Sequence, residues 1–219
     1  IPSPAAFASK LAARPAVPTP SPPSHSESAR FGRVDADGTV FVRVGEEDHE
    51  VGSYPGATPE EALDYFARKY DELHGAAQLL AARIDNPEVT ARELSETLSA
   101  LTTQVADAKV VGDLPALNER LASLKEAISA KASQEAEVRA AARAEAITAR
   151  EALVSEAETI AGQPPQSIQW KRSGERMRTL LDEWKQHQRA GTRIDKPTET
   201  ALWQRFSHAR NVFDKARKA

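Results

Sequence analysis

A mainly α-helical protein with one small antiparallel β meander is what this sequence predicts, and three observations carry that reading. Apolar residues recur at helical spacing through most of the chain after residue 57. Alternation of a strand type is confined to one window, 30–56. Ala, Glu, Arg and Leu dominate a composition that is 5% aromatic and 28% charged, a mixture that favours long helices over a thick core. So few aromatics bury little area per residue, and an extended molecule is expected.

Residues 1–29 hold seven of the 14 prolines beside many Ser and Ala. Such a segment buries too little apolar surface to offset its ordering entropy. It reads as a Pro-rich extended arm, either a solvated linker or an arm that orders on a partner, with Lys10, Arg14 and Arg30 as candidate contacts. Residues 30–56 predict the β meander: Val34, a turn at "DADG", alternation from Val40 to Val44, a second turn at "GEED", then Val51. Three strands this short need a helix to pack on. His49 stands between Asp48 and Glu50, but consecutive strand residues point to opposite faces, so no metal site is expected there.

Residues 57–130 predict a three-helix antiparallel coiled coil. "TPEE" places Thr58 as N-cap, Pro59 in the first turn and Glu61 closing a capping box. Leu63, Phe66, Tyr70, Leu73, Ala77, Leu80 and Ile84 then form a heptad seam. "DNP" at 85–87 breaks the helix, and Pro87 suits a new first turn. Leu94, Leu98, Leu101, Val105 and Ala108 continue the seam. "VVGDLP" is a turn with Asp113 as N-cap, after which Leu117, Leu121, Leu124 and Ile128 open a third helix. That helix meets no breaker between Pro115 and Gly162, a length of about 70 Å at ~1.5 Å per residue. Over 131–164 its apolar seam thins to Ala and Val, which predicts an exposed connecting helix, a rod.

Residues 165–219 predict a terminal basic helical hairpin. Trp170, Ser173, Met177, Leu180, Leu181 and Trp184 share one helix face, and Leu202, Trp203, Phe206, Ala209 and Phe213 share another. Gly191 is a C-cap candidate, and Pro197 lies near the start of the second helix. All three Trp fall in this segment, where large rings supply the buried area a fifty-residue unit otherwise lacks.

The net charge of −3 is unevenly laid out: +3 over residues 1–34, −13 over 35–166 and +7 over 167–219. On the first helix of the hairpin and the loop after it the cations are Lys171, Arg172, Arg176, Arg178, Lys185, Arg189 and Arg193. On the second they are Arg205, Arg210, Lys215, Arg217 and Lys218. Thirteen basic residues against six acidic exceed what pairing along a helix would consume, and the resulting field attracts phosphate. These residues are the candidate RNA-phosphate contacts. No base-reading motif accompanies them, so recognition is expected to rest on shape and backbone.

The terminal pattern "LLDEWK…DKPTETALWQRFSHARNVFDKAR" resembles the repeat of a bacterial domain-of-unknown-function family, number 349. Trp170, Trp184, Trp203, Arg205, Phe206, Arg210 and Phe213 carry the resemblance, which is specific over roughly 165–219. More loosely, the Pro-rich start, the "RFGRVDADGTV" hairpin and the coiled stretch are similar to the amino-terminal architecture of actinobacterial members. The resemblance brings no established activity; it implies a cytoplasmic, non-enzymatic helical protein. Members of that type carry further repeats. The first residue is Ile and the last helix has no cap signal, so a piece of a longer chain is expected.

Several function classes are excluded on sequence grounds. The chain has no cysteine, hence no disulfide frame, thiolate nucleophile or Cys-based zinc site. No apolar run approaches the roughly 18–20 residues that span a bilayer, and prolines interrupt the start too often for a signal peptide. Glycine-rich phosphate loops, paired His ligands, serine elbows and paired-acid clefts are missing from the pattern. No enzyme activity, cofactor, metal, membrane or small-molecule substrate is expected. The expectation is a non-enzymatic RNA- or ribosome-associated binding protein of the translation, hibernation or protection type. It would bridge distant sites by its long helix and arm, with ribosomal RNA and ribosomal proteins as partners. The alternative is a coiled-coil adaptor that recognises a protein partner alone.

Overall fold

The computed structural model describes residues 25–219. Residues 1–24, and with them Lys10, Arg14 and most of the expected arm, lie outside the described residues. A 3₁₀ turn at Glu27–Phe31 leads into β1 (Gly32–Val34), β2 (Thr39–Val44) and β3 (Glu47–Ser53). Five helices follow: α1 (Pro59–Arg83), α2 (Ala91–Ala106), α3 (Leu114–Ala161), α4 (Trp170–Ala190) and α5 (Lys196–Lys218). The chain divides into two units, residues up to 82 with 97–123, and residues 83–96 with 124–219. The five segments expected from the sequence do not coincide with that division, and α2 and α3 each contribute residues to both units.

In the first unit the three strands form the antiparallel meander in the order β1-β2-β3. The second turn is tighter than the expected "GEED": Gly45 and Glu46 make it, with Gly45 at φ +65, and Glu47 and Asp48 already belong to β3. Alternation puts Val40, Val42 and Val51 into one core with Ala62, Phe66 and Ala67 of α1 and Val111 of the α2–α3 loop. The Thr58–Glu61 capping box forms in both directions: the Thr58 N–H donates to Glu61 Oε2 at 2.8 Å, and the Glu61 N–H to Thr58 Oγ1 at 3.2 Å. Phe66, Tyr70, Ala77 and Leu80 of the seam are buried, as are Leu98, Leu101 and Val105 of α2 and Leu117 and Leu121 of α3. Asp113 caps α3 as expected, accepting from the Ala116 N–H at 3.0 Å.

The loop before α3 is held against α1 by Tyr70, whose hydroxyl donates to the Asp113 carbonyl at 2.9 Å. Burial pushes the Tyr70 phenol above its ordinary pKa. Gly112 lies flat on that ring: a Cβ there would sit 2.1 Å from Tyr70 Cγ. Only a residue without a side chain allows the approach.

The expected arm is shortened at its carboxyl end. From His25 onward the chain is docked on α1, not extended. His25 Nδ1 lies 2.6 Å from Asp64, and the Ser26 and Ser28 hydroxyls both donate to Asp71 at 2.6 Å. Asp64 is buried and also accepts from the Ser26 N–H at 3.3 Å. Two aspartates seven residues apart stack on one helix face, and the short polar side chains of "HSES" satisfy them. Arg30 remains exposed beside this anchor, with its guanidinium 5.0 Å from the centre of the Phe31 ring.

In the second unit, α2 starts at Ala91, later than the turn expected at Pro87. Asn86 accepts from the Glu88 N–H at 2.9 Å and holds 86–89 as a turn, and Thr90 caps the helix through the Glu93 N–H at 3.3 Å. Two side chains of α3 complete the join. Lys131 donates to the Ile84 and Asn86 carbonyls at 2.7 Å each, and Glu135 accepts from the Ala91 N–H at 2.9 Å. Each satisfies a backbone group that a helix end leaves open.

The close approach of Gly112 and Tyr70 yields a direct expectation. Gly112→Ala must displace the ring or the loop, at a cost of about 1–3 kcal/mol for overpacking. Hydrogen exchange should speed up in 110–123 and around Tyr70. An unchanged exchange pattern would show that the contact is not tight.

Candidate functional site

The two terminal helices, α4 and α5, do not pack on each other alone. Leu153, Val154, Ala157 and Ile160 of α3 share one core with Met177, Leu180 and Trp184 of α4 and Leu202, Phe206, Ala209 and Phe213 of α5. The expected rod over 131–164 is therefore corrected from Arg150 onward, where α3 is a packed helix. Trp184 is fully buried, its ring centroid 5.9 Å from Phe206 and 5.5 Å from Trp203. Its indole Nε1 has no acceptor among the described residues, a cost of about 1–3 kcal/mol. Burying ~150–250 Å² of ring at ~25 cal/mol per Å² contributes ~4–6 kcal/mol, so burial wins. Trp170 is half-buried on Phe213 at 5.6 Å, and Trp203 keeps 38% of its surface exposed.

Arg150 is the residue that sequence reading missed. It is 2% exposed, and no carboxylate pairs with it among the described residues. Its guanidinium donates to carbonyls only: Ala146 at 3.0 Å, His187 at 2.8 Å and Thr192 at 3.3 Å. The His187 carbonyl lies in the last turn of α4 and also accepts the Gly191 N–H at 3.1 Å. A cation there meets the negative end of the helix dipole and the open carbonyls of the last turn. Asp195, N-cap of α5, accepts from the Thr198 N–H at 3.0 Å, which holds its carboxyl below the usual range.

The twelve candidate cations separate into two classes. Arg176 is held by two acids, Glu156 of α3 at 2.6 Å and Glu183 of α4 at 2.8 Å. Arg205 is held by Glu158 at 2.8 Å and Glu151 at 3.4 Å, both on α3. These hydrogen bonds hold Glu156 and Glu158 below the usual carboxylate range and raise both guanidinium pKa values. Arg176 and Arg205 thus act as clamps between helices, their charge already met by acids. Lys185 sits 4.0 Å from Asp182. The remaining nine, Lys171, Arg172, Arg178, Arg189, Arg193, Arg210, Lys215, Arg217 and Lys218, have no ion-pair partner among the described residues. All are exposed except Arg210, which is half-buried.

α3 also changes the charge of the bundle. Counting it from Glu145 adds four acids and one arginine, so the excess falls from +7 to +4. What survives is concentrated. Arg178 of α4 and Arg210 and Arg217 of α5 line one cleft of about 180 Å³ with Gly174, Met177, Phe213 and Asp214. A larger cavity of about 820 Å³ in the first unit has the opposite character, with Glu61, Asp64 and Glu72 outnumbering Arg68 and Lys69 around the stacked rings of Tyr54 and Tyr65. The basic cleft is the better anion site.

Residues 116–192 match the family described as Domain of Unknown Function (DUF349), so the chain carries that family's domain. The match overlaps the expected repeat over 165–192 and takes in most of α3. It ends before α5, where Trp203, Arg205, Phe206, Arg210 and Phe213 stand. Neither a curated protein nor a solved structure matches the chain. No helix among the described residues is long and apolar enough to cross a membrane.

Two outcomes are expected. Trp184→Ala should destabilise the α3–α5 bundle by about 3–5 kcal/mol, read as a lower urea midpoint and as faster exchange confined to 150–219. The second concerns pH. A carboxylate with a depressed folded pKa stabilises above its unfolded value and loses that contribution as pH falls through the folded one. The bundle should hold its stability down to about pH 5 and weaken below the ordinary glutamate value near 4.3. With solvent screening, each pair is worth under ~1 kcal/mol. Arg176→Gln should flatten this acid limb in a urea midpoint series. An identical limb in the variant would show that the Glu156 clamp contributes nothing.

Proposed function

We propose that this chain, with its DUF349 domain over 116–192, is a non-enzymatic binding protein of the translation machinery that holds ribosomal RNA by its phosphate backbone. One observation carries the reading. The fold pairs Arg205 with two acids of α3 and Arg176 with one acid of α3 and one of α4, yet leaves nine of the candidate cations around the bundle with no acidic partner among the described residues. Unpaired cations at this density attract a polyanion and release its counterions on contact. Ribosomal proteins flank ribosomal RNA and are the accompanying partners, in the cytoplasm where ribosomes work. The arm, residues 1–24 with Lys10 and Arg14, and Arg30 beside its anchor extend the contact in this reading.

An adaptor that binds protein alone is the second reading, and the partial exposure of Trp203 and Val212, 38% each on α5, favours it. Aromatic anchors of this kind dominate protein interfaces, whose binding responds weakly to salt. The two readings separate cleanly in one series. Lys171, Arg172 and Arg189, all exposed, reversed together to Glu should abolish co-sedimentation with ribosomes. The slope of log affinity for RNA against log salt should flatten by about 2. Reversing three exposed acids of α3, Glu119, Glu126 and Glu137, to Lys should spare or strengthen binding. Binding that tolerates the basic reversals, resists salt and is lost on Trp203→Ser with the bundle still folded would establish the adaptor instead.

A further inference from the structure

Among the unpaired cations, three are gathered in a way the others are not. Arg178 lies on α4, one turn beyond Gly174, and Arg210 and Arg217 lie two turns apart on α5. The side chains of all three line the same cleft. Its apolar walls are Met177 and Phe213, both buried, so charges at its mouth face a low-dielectric surface and not only water. Asp214 also lines it, yet makes no ion pair with any of the three, leaving the cleft two charges positive. At about 180 Å³ it is smaller than the roughly 300–1,000 Å³ of small-molecule pockets. A single group fits; a whole nucleotide does not.

Gly174 shapes the cleft. It is buried in the second turn of α4, where glycine costs about 0.5–1 kcal/mol relative to alanine. A Cβ there would meet Arg217 Nη1 at 3.7 Å and Phe213 Cε1 at 4.0 Å, ordinary contacts. Alanine would therefore fit, and anything longer would enter the space where the Arg217 guanidinium lies. We infer that the cleft of Arg178, Arg210 and Arg217 seats one phosphate group of an RNA backbone. Three arginines line it, and each guanidinium fork is suited to bidentate hydrogen bonding of a tetrahedral oxyanion. This deepens the RNA reading and rests on it, by naming the place where one phosphate is gripped while the other cations supply field.

Two measurements on the full chain test it. In the first, inorganic phosphate is titrated at constant ionic strength while the arginine Nε–H signals are followed by NMR. Arg178, Arg210 and Arg217 should move together along one saturating curve, the other arginines should not, and Gly174→Leu should abolish the response with Trp184 fluorescence unchanged. Shifts that never saturate, or that chloride reproduces equally, reflect screening and overturn the seat. In the second, retention of a short single-stranded RNA is compared for two triples that each remove three charges. Gln at Arg178, Arg210 and Arg217 should weaken it about tenfold more than Gln at Lys171, Arg172 and Arg189, because hydrogen bonds to charge are lost as well as field. Equal losses would leave RNA binding in place and overturn the seat. If the unsubstituted protein retains no RNA at all, the RNA reading falls, and the assignment of the seated phosphate to a backbone falls with it.

Discussion

Two helices cannot enclose a tryptophan. An α4–α5 pair presents Trp184 and Phe206 to each other, but a ring wedged between two cylinders stays open along the groove they leave. Full burial of Trp184 needs a third surface, and the end of α3 supplies it with Leu153, Val154, Ala157 and Ile160. The rest of the bundle follows from that requirement. Once α3 lies against the end of α4, Arg150 enters the interior. The desolvation of its charge, several kcal/mol when unpaired, is offset by three charge-assisted hydrogen bonds to carbonyls, one of them in the last turn of α4 and one in the loop that follows. One residue thus fixes the last turn of α4 and the chain that leads into α5.

The same packing sorts the arginines. α3 brings Glu151, Glu156 and Glu158 alongside the other two helices, and those acids take Arg205 and Arg176. Their loss from the pool of available cations is a consequence of closing the core, not of any separate design for charge. What the core does not explain is the remainder. Arg178, Arg210 and Arg217 stand within one cleft beside Asp214 and stay unpaired among the described residues. A fold that needed only neutrality there could have placed a second acid on either helix, as it does around Arg176.

Much of the fold was legible in the chain because its signals are local. The capping oxygens of Thr58, Asp113 and Asp195 are chemistry of four-residue windows, and Thr58 and Asp113 were found on that basis. The seam from Phe66 to Ile128 repeats often enough to survive interruption, and the valines of β2 alternate without ambiguity. The errors arose where a long-range partner decided the outcome. Pro87 is a sound first-turn residue, but Lys131 takes the Ile84 and Asn86 carbonyls and Glu135 the Ala91 N–H, and the helix starts at Ala91 instead. His25, Ser26 and Ser28 look like tail until Asp64 and Asp71 are seen to face them. The apolar stripe of 153–160 was present at helical spacing. It is short, surrounded by Ala and Glu, and preceded by an arginine that reads as solvent-facing, so nothing local marked it as core.

The extent of the family match acquires a physical sense from the packing. A segment that runs from 116 to 192 contains most of α3, all of α4 and the Thr192 carbonyl that Arg150 reaches. It contains the helix pair joined by Arg150 and by the Arg176–Glu156 clamp, both of which lie inside the match. It excludes Phe206 and Phe213, without which Trp184 and Met177 would face water. The matched segment therefore holds its own polar joints but only two-thirds of its core, and α5 is the element that closes it. α5 also supplies two of the three cleft arginines. Closing the core and assembling the cleft are thus one event: where α5 does not dock, Arg178 stands alone on α4 as an ordinary surface cation, and the anion site does not exist.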